Sequence, residues 1–257
     1  MKKTLKKITE KFGYSIKKIN NNSTPYSDIK DSEFWEIYDL CKPYTMVSID
    51  PMYALYCSVK HILSSDISGS FVECGVWRGG SSMLIAKMLS NRNIVDRKIY
   101  LYDTFEGMSE PTKIDIDLRG NNASTLLKEN EENKEESVWC LADLSDVQKN
   151  MRLTNFPESN MVFIKGKVEN TIPENLPKEN IALLRLDTDW YESTKHELKY
   201  LFPILEQNGI LIIDDYGHWE GCRKAVDEYF SENNMCILLY RIDYSVRVGI
   251  KTAANNK

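Results

Sequence analysis

The chain has 257 residues, a formal net charge of −5 and 42% hydrophobic residues, which fits one large α/β domain and excludes global disorder. The acidic balance argues against nucleic-acid binding, which usually shows as a basic face. No apolar run approaches the ~20 residues of a membrane span, and no signal-peptide core is visible. The six cysteines are scattered without a C-x-x-C pair, so we expect reduced thiols in a cytoplasmic protein.

Residues 1–30 form a basic arm, in which seven lysines and one acid lie between Met1 and Lys18. Its apolar spacing permits a short amphipathic helix that docks on a membrane surface or a partner, although a solvated arm is the commoner outcome. We expect a separate domain over residues 31–257. It begins with a helical cap over residues 31–66, in which Asp31 or Ser32 caps the first helix and Pro43 ends it.

Apolar runs alternate with helical segments from Gly69 onward, which indicates a doubly wound, mostly parallel Rossmann-like sheet of seven strands. Asn208-Gly209 reads as a helix stop. The last two strands are too close for a crossover helix, so one of them is antiparallel. Predicted strands cover residues 71–75, 98–102, 161–164, 181–186, 210–213, 236–242 and 246–251, and the main helices cover 81–89, 195–205 and 222–231. The insertion at 107–145 contains no strand and is either a lid or a surface excursion.

A glycine-rich turn, E-x-G-x-x-x-G-G-S-S over residues 73–82, links the first strand to the first helix. Such a turn lets a ligand approach the backbone and the free N–H groups of the helix N-terminus, although it equally serves tight packing. Asp103 ends the second strand, where an acid accepts hydrogen bonds from both ribose hydroxyls of a nucleoside. Together the two features favour nucleoside binding.

The strongest chemical signal is a set of acids that follows two strands, namely Asp187 and Asp189 after the fourth and Asp214-Asp215 after the fifth. These strands are neighbours in a doubly wound sheet, so their carboxyl ends share one crevice. Clustered carboxylates repel one another unless a cation or protons intervene, and an all-oxygen set fits Mg²⁺, Ca²⁺ or Mn²⁺. The alternatives are that they cap the following helices or pair with Arg185 and Arg223.

Asp189 either ligates the metal or stands beside it as a base. A free carboxylate is a poor base for an alcohol, but a metal that binds the alcohol oxygen lowers the pKa of that alcohol by many units. His218 follows closely and is a second candidate for substrate contact or for the base.

Several ordered motifs resemble the macrocin O-methyltransferase (TylF/MycF) family of class I, metal-dependent methyltransferases. The resemblance covers roughly residues 33–250. The matching segments are residues 43–46 (PYTM), 53–56 (YALY), 71–81 (FVECGVWRGGS), 103–108 (DTFEGM), 186–194 (LDTDWYEST), 214–217 (DDYG) and 221–227 (GCRKAVD).

The resemblance implies binding of S-adenosylmethionine and Mg²⁺, or another hard divalent cation. Asp187, Asp214 and Asp215 would bind the metal, and Asp189 would be the general base. The residues assigned to the cofactor are Thr45, Met46, Glu73, Gly75, Ser81, Ser82, Asp103, Phe105, Val168 and Glu169. His218 and Tyr191 are assigned to the substrate. Asn170 stands where the family often has Asp, so the adenine edge is read differently.

The family implies O-methylation of a sugar hydroxyl. A lysine- and isoleucine-rich composition typical of AT-rich genomes favours a nucleotide-linked sugar of a capsule or surface polysaccharide, and a natural-product sugar is the alternative. A second alternative is a glycosyltransferase that uses Asp187-Thr188-Asp189 as a D-x-D motif, and a third is a non-catalytic scaffold. The aromatic-rich N-terminal region favours a homo-oligomer.

Overall fold

A computed structural model describes residues 25–135 and 137–252. The chain divides into two units, Met1–Glu33 and Phe34–Lys257. In the described end of the first unit, a turn precedes the first helix, and Asp31 Oδ1 accepts a hydrogen bond from the Glu33 backbone nitrogen at 3.2 Å, as predicted for a cap. The amphipathic helix suggested for the basic arm lies outside the described residues.

The predicted pair of N-terminal helices is confirmed. Helix α1 spans Ser32–Cys41, and Pro43 lies in the 3₁₀ turn Lys42–Tyr44 that follows it. Helix α2 spans Ile49–Ser64, with Pro51 in its first turn, where a missing N–H is tolerated. Both helices bury one apolar face, as their sequence spacing requires.

The sheet has seven strands in the order β3-β2-β1-β4-β5-β7-β6, which confirms the predicted fold. Strands β1 to β5 are parallel, whereas β7 is antiparallel to both β5 and β6. Their bounds are β1 Ser70–Cys74, β2 Ile99–Asp103, β3 Met161–Lys165, β4 Ile181–Leu186, β5 Leu205–Ile213, β6 Tyr240–Arg241 and β7 Arg247–Ile250. The strand order reverses between β1 and β4, and ligands of such sheets bind at that point.

The remaining helices cover the two faces of the sheet or lie in the insertion. They are α3 Gly80–Asn91, α4 Ala123–Glu129, α5 Leu144–Arg152, α6 Val168–Thr171, α7 Tyr191–Leu201 and α8 Glu220–Glu232. As predicted, no strand forms within residues 107–135 or 137–145, although two isolated bridges do. None of the helices in the described ranges combines the length and apolar character needed to cross a membrane.

Two boundary predictions are wrong. Asn208-Gly209 does not end a helix, because α7 ends at Leu201 and this pair lies inside β5. Asn208 has φ +66°, and the pairing of β4 with β5 shifts register along this stretch, so the dipeptide serves a strand irregularity rather than a helix end. The strand predicted over residues 236–242 shortens to Tyr240–Arg241.

Candidate active site

A glycine turn joins β1 to α3 at the carboxyl end of the sheet. Gly75 has φ +81°, and a Cβ atom there would lie 1.9 Å from the backbone oxygen of Asp187. A Cβ atom on Gly80 would lie 2.6 Å from Cβ of Thr45. The close approach of the acidic loop and of Thr45 to this turn therefore depends on the absence of side chains here.

Replacing Gly75 by alanine is expected to lower the free energy of unfolding by about 3 kcal/mol or more, because strain at positive φ adds to the overlap with Asp187. Gly120→Ala is the matched control, since Gly120 has φ +86° but meets nothing within 4 Å. It should lose only about 1 kcal/mol. Urea denaturation of both variants measures the difference, and equal losses would contradict the packing argument.

Asp103 organises the glycine turn from the end of β2. Its Oδ2 accepts hydrogen bonds from the backbone nitrogens of Val76 at 2.6 Å and Trp77 at 3.2 Å, and its Oδ1 accepts one from Phe105 at 2.7 Å. Burial raises the pKa of Asp103, while the backbone hydrogen bonds oppose that shift. The carboxylate thus fixes the turn and also reaches the cavity beside it.

Two adjoining cavities gather most of the residues predicted for the cofactor. The first, of about 210 Å³, is lined by Thr45, Met46, Glu73, Gly75, Ser81 and Asp103. The second, of about 50 Å³, is lined by Val168 and Glu169, and it shares Gly75 and Asp103 with the first. An elongated ligand that spans both cavities therefore fits the arrangement.

Two residues assigned to the cofactor line neither cavity. The Oγ atom of Ser82 is buried and donates a hydrogen bond to Glu73. Phe105 is 2% exposed and packs its ring against Phe163. Ser82 therefore acts on the site through Glu73, and Phe105 acts through its backbone bond to Asp103.

Arg185 on β4 is the cationic centre of the crevice and is 2% exposed. Its Nη1 lies 2.6 Å from Glu73 Oε1 and 2.6 Å from Asp187 Oδ2, and its Nη2 lies 2.5 Å from Asp214 Oδ1. Burial raises the pKa of Glu73 and of Asp187, and the arginine charge opposes both shifts. The arginine pairing left open by the sequence is therefore present for Asp187 and Asp214. Arg223 instead donates to the backbone oxygen of Tyr216.

The three acids predicted to bind metal converge as expected. Asp187, Asp214 and Asp215 each offer an oxygen within 4.8 Å of the others. Asp215 Oδ2 is buried and has no hydrogen-bond partner in the described part of the chain, and burial together with the charge of Asp189 raises the pKa of Asp215. An orphaned buried oxygen among clustered carboxylates fits a hard divalent cation.

Asp189 stands at the edge of this group in a strained backbone conformation, with φ +64°. Its Oδ1 accepts a hydrogen bond from Trp219 Nε1 at 2.6 Å. Burial and the charge of Asp187 raise the pKa of Asp189 to about 7. Strain of this kind persists where the surroundings fix a side chain for a task.

A third cavity, of about 380 Å³, adjoins the first at the acids. Asp189, Asp214 and Asp215 line both this cavity and the first one. His218 lies on its wall, where its Nδ1 is 3.3 Å from the hydroxyl oxygen of Tyr244. Burial lowers the pKa of His218, which favours the neutral imidazole.

The β6–β7 turn forms one wall of the third cavity and packs tightly on the acidic loop. Ser245 Oγ donates to the backbone oxygen of Asp214 at 2.6 Å, and Gly217 donates its N–H to the Ser245 oxygen at 2.8 Å. A Cβ atom on Gly217 would lie 1.7 Å from the Tyr244 oxygen. This wall is thus fixed directly to the acids.

Tyr191, the second residue assigned to the substrate, is not brought to these three cavities. Its hydroxyl donates to Glu228 Oε2 at 2.6 Å, and Lys195 Nζ donates to the Tyr191 hydroxyl oxygen at 2.7 Å. Its backbone nitrogen donates to Asp115 at 2.8 Å. The contacts of Tyr191 are those of a residue that holds α7 in place.

The sequence profile of the macrocin-O-methyltransferase (TylF) family matches residues 6–248. The chain belongs to this family. It is an S-adenosylmethionine-dependent O-methyltransferase, as predicted.

Relatives with assigned reactions agree with this assignment. Demethyldecarbamoylnovobiocin O-methyltransferase of Streptomyces niveus is 30% identical over 200 residues, which cover 78% of this chain and 72% of the relative. The 8-demethyl-8-(2,3-dimethoxy-alpha-L-rhamnosyl)-tetracenomycin-C 4'-O-methyltransferase of Streptomyces olivaceus is 32% identical over 186 residues, or 72% of this chain and 67% of the relative. The solved structure of the O-methyltransferase NovP has 27% identity and a TM-score of 0.70, and it covers 81% of this chain and 82% of its own.

Two members of this methyltransferase site were not assigned a role from the sequence. Arg185 entered only as a competing ion-pair partner, although its place one residue before Leu186 at the end of a buried strand was a usable signal. Trp219, the hydrogen-bond donor to Asp189, carries no comparable signal. It meets Asp189 only because α7 and α8 pack side by side, as the contact of Trp190 with Trp219 reflects.

Proposed function

We propose that this enzyme methylates a hydroxyl of a sugar on a glycosylated small molecule, with a divalent cation held by Asp187, Asp214 and Asp215. The observation that carries the proposal is that Asp189, Asp214 and Asp215 line both the first and the third cavity. A methyl donor in one cavity and an acceptor in the other would meet at these acids. Such proximity supplies much of the rate of a bimolecular transfer.

The first two cavities fit the two ends of S-adenosylmethionine. Asp103 reaches both cavities and is suited to the ribose, which leaves the methionine end near Ser81 and the base near Val168 and Glu169. When bound, the cofactor supplies an electrophilic methyl group and the cation lowers the pKa of a coordinated hydroxyl.

In this mechanism the protein side chains orient the acceptor and receive its proton. Asp189 accepts the hydroxyl proton, and Trp219 Nε1 fixes the direction of the carboxylate. Arg185 holds Asp187 and Asp214 in place through its two terminal nitrogens. His218, whose pKa is lowered by burial, offers a hydrogen bond to the acceptor from the wall of the third cavity.

The charge of the third cavity favours a neutral acceptor over a nucleotide-linked sugar. Its lining includes four carboxylates and neither lysine nor arginine, whereas Met46, Pro51 and Val138 add apolar surface. Apart from the proposed cation, a diphosphate would find no positively charged side chain in this lining to offset its repulsion by the carboxylates. Arg119, whose charge reaches His218, is exposed and does not line this cavity.

The names of the relatives also support a neutral glycoside as the acceptor. One acts on a rhamnosyl-tetracenomycin, and the mycinamicin III 3''-O-methyltransferase of Micromonospora griseorubida is 30% identical over 78% of this chain and 75% of its own. These names favour the natural-product alternative over the capsule or surface-polysaccharide sugar first expected from composition. Because the chain belongs to a methyltransferase family, the glycosyltransferase alternative is rejected.

Purified enzyme incubated with methyl-labelled S-adenosylmethionine should label neutral glycosides in preference to nucleotide sugars. Treatment with a chelator should abolish transfer, and Mg²⁺ or Mn²⁺ should restore it. Mass spectrometry of the acceptor measures the added methyl group. Full activity after chelation would reject the metal, and exclusive labelling of nucleotide sugars would reject the acceptor class.

A further inference from the structure

Thr188 lies between Asp187 and Asp189 and, of the three cavities, lines only the second. Asp187 lines the first and second cavities and Asp189 the first and third, whereas Thr188 lies in the second beside Val168, Glu169 and Ser193. A bend in the loop accompanies this division, because Asp189 adopts φ +64°. The middle residue of this motif has no task in the transfer chemistry described above.

The hydroxyl of Thr188 forms a hydrogen bond with Glu197 on α7. Thr188 Oγ1 lies 2.9 Å from Glu197 Oε1, and the glutamate side chain is fully buried. Glu197 Oε2 is also buried and has no hydrogen-bond partner in the described residues. No lysine or arginine within residues 25–135 and 137–252 makes an ion pair with Glu197.

Two other acids that line the cofactor cavities, Glu73 and Asp103, have stronger partners. Glu73 pairs with the Arg185 guanidinium at 2.6 Å, and Asp103 accepts bonds from three backbone nitrogens. Within the described residues, the hydrogen-bond partner of Glu197 is the Thr188 hydroxyl on Oε1, and Oε2 has none. Burial raises the pKa of Glu197, and the charge of Glu169 raises it further. An unpaired buried charge is so costly that such a group is neutral instead.

The charge state of Glu197 decides which way the hydrogen bond runs. An ionised carboxylate would accept the Thr188 hydrogen and leave only oxygen lone pairs for the cavity. A neutral carboxyl group that carries its hydrogen on Oε1 donates that hydrogen to Thr188 Oγ1, so the Thr188 hydrogen is free to point into the second cavity. Neutral Glu197 therefore converts Thr188 into a donor.

We propose that Thr188 binds the nucleoside end of S-adenosylmethionine by donating its hydroxyl hydrogen, and that neutral Glu197 is its positioning residue. The acceptors available on this part of the cofactor are ring nitrogens and ribose oxygens. This inference rests on the proposed placement of the nucleoside in the second cavity.

Calorimetric titration with S-adenosylhomocysteine tests the proposal without requiring turnover. Thr188→Val, which keeps the shape and removes the hydroxyl, should weaken binding about tenfold, the effect of one lost hydrogen bond. Thr188→Ser should bind within about threefold of wild type, since it keeps the hydroxyl. The matched control is Thr154→Val, because Thr154 also has a hydrogen-bonded hydroxyl, which donates to Met151 O at 2.7 Å, but lines none of the three cavities.

A double-mutant cycle with Glu197→Met tests the positioning role. Glu197→Met alone should lose part of its affinity for S-adenosylhomocysteine. The Thr188→Val/Glu197→Met double variant should bind this ligand no more weakly than Thr188→Val alone. In infrared difference spectra, wild type minus Glu197→Gln should contain the C=O band of a protonated carboxylic acid. Thermal unfolding confirms that each variant is folded before titration.

Three results would overturn the inference: wild-type affinity in Thr188→Val, additive losses in the cycle, or the absence of the carboxylic acid band. Failure of the wild-type protein to bind S-adenosylhomocysteine would instead reject the proposed placement of the cofactor itself. If Thr188→Val does not fold, loss of affinity in Glu197→Met with recovery in Glu197→Gln decides the question, since the amide also donates to Thr188.

Discussion

Asp189→Asn is expected to lower kcat by about 10²- to 10⁴-fold, the range for loss of a general base. An amide cannot take the proton of the acceptor hydroxyl, whereas its oxygen still accepts the hydrogen bond from Trp219. Asparagine also tolerates φ +64° well, so the loop should keep its conformation. Affinity for S-adenosylhomocysteine should change by less than about twofold, which separates loss of chemistry from loss of binding.

Asp66→Asn is the control for this substitution. Asp66 also has positive φ, at +52°, but it is exposed and lines none of the cavities of the site. Steady-state kinetics of both variants should show the loss only at Asp189. If Asp189→Asn keeps most of its kcat, the base is another group, and the same assay on His218→Gln then examines the second candidate.

Arg185→Met is expected to lower the free energy of unfolding by about 3–5 kcal/mol, the usual effect of removing one partner from a buried ion pair. The loss arises because Glu73, Asp187 and Asp214 would share a buried crevice without their common cation. For a protein of this size the melting temperature should fall by roughly 10 °C. Urea denaturation in the presence of a chelator measures the effect without a contribution from bound metal.

Arg152→Met provides the matched comparison, because Arg152 makes a single exposed ion pair with Glu158 at 3.1 Å. Surface pairs of this kind contribute less than about 1 kcal/mol. The loss in the free energy of unfolding for Arg185→Lys should lie between those of Arg185→Met and Arg152→Met, since one ammonium group cannot reach three carboxylates with the geometry of a guanidinium. Equal stability of Arg185→Met and Arg152→Met would show that the buried acids do not need the arginine.

The sequence predicted the fold because strand and helix periods differ and because parallel strands end at one edge of a sheet. Those two facts place Asp187 and Asp214 together once β4 and β5 are neighbours. They do not determine which side chain meets which across the sheet. The direction of Ser82 towards Glu73, and of Tyr191 towards Glu228, depends on tertiary packing that periodicity does not encode.

Local signals failed where one motif serves two structures. Asn-Gly suits any position that needs positive φ, so the same dipeptide that commonly ends a helix here lies inside β5. Trp219 carried no signal as a functional residue, because a buried tryptophan in a helix N-cap is usually a packing residue. Only the meeting of two helices turns its N–H towards Asp189.

The close packing of the β6–β7 turn against Gly217 limits how the enzyme can be engineered to accept other substrates. Substitutions in that turn are expected to displace Asp214 through its hydrogen bond with Ser245. A variant that gains new acceptors there is therefore expected to lose kcat. Another part of the lining of the third cavity, Ser137 and Val138, belongs to the insertion and, among the described residues, makes no hydrogen bond to the acids. Libraries that diversify this part of the lining should therefore broaden acceptor choice while sparing catalysis.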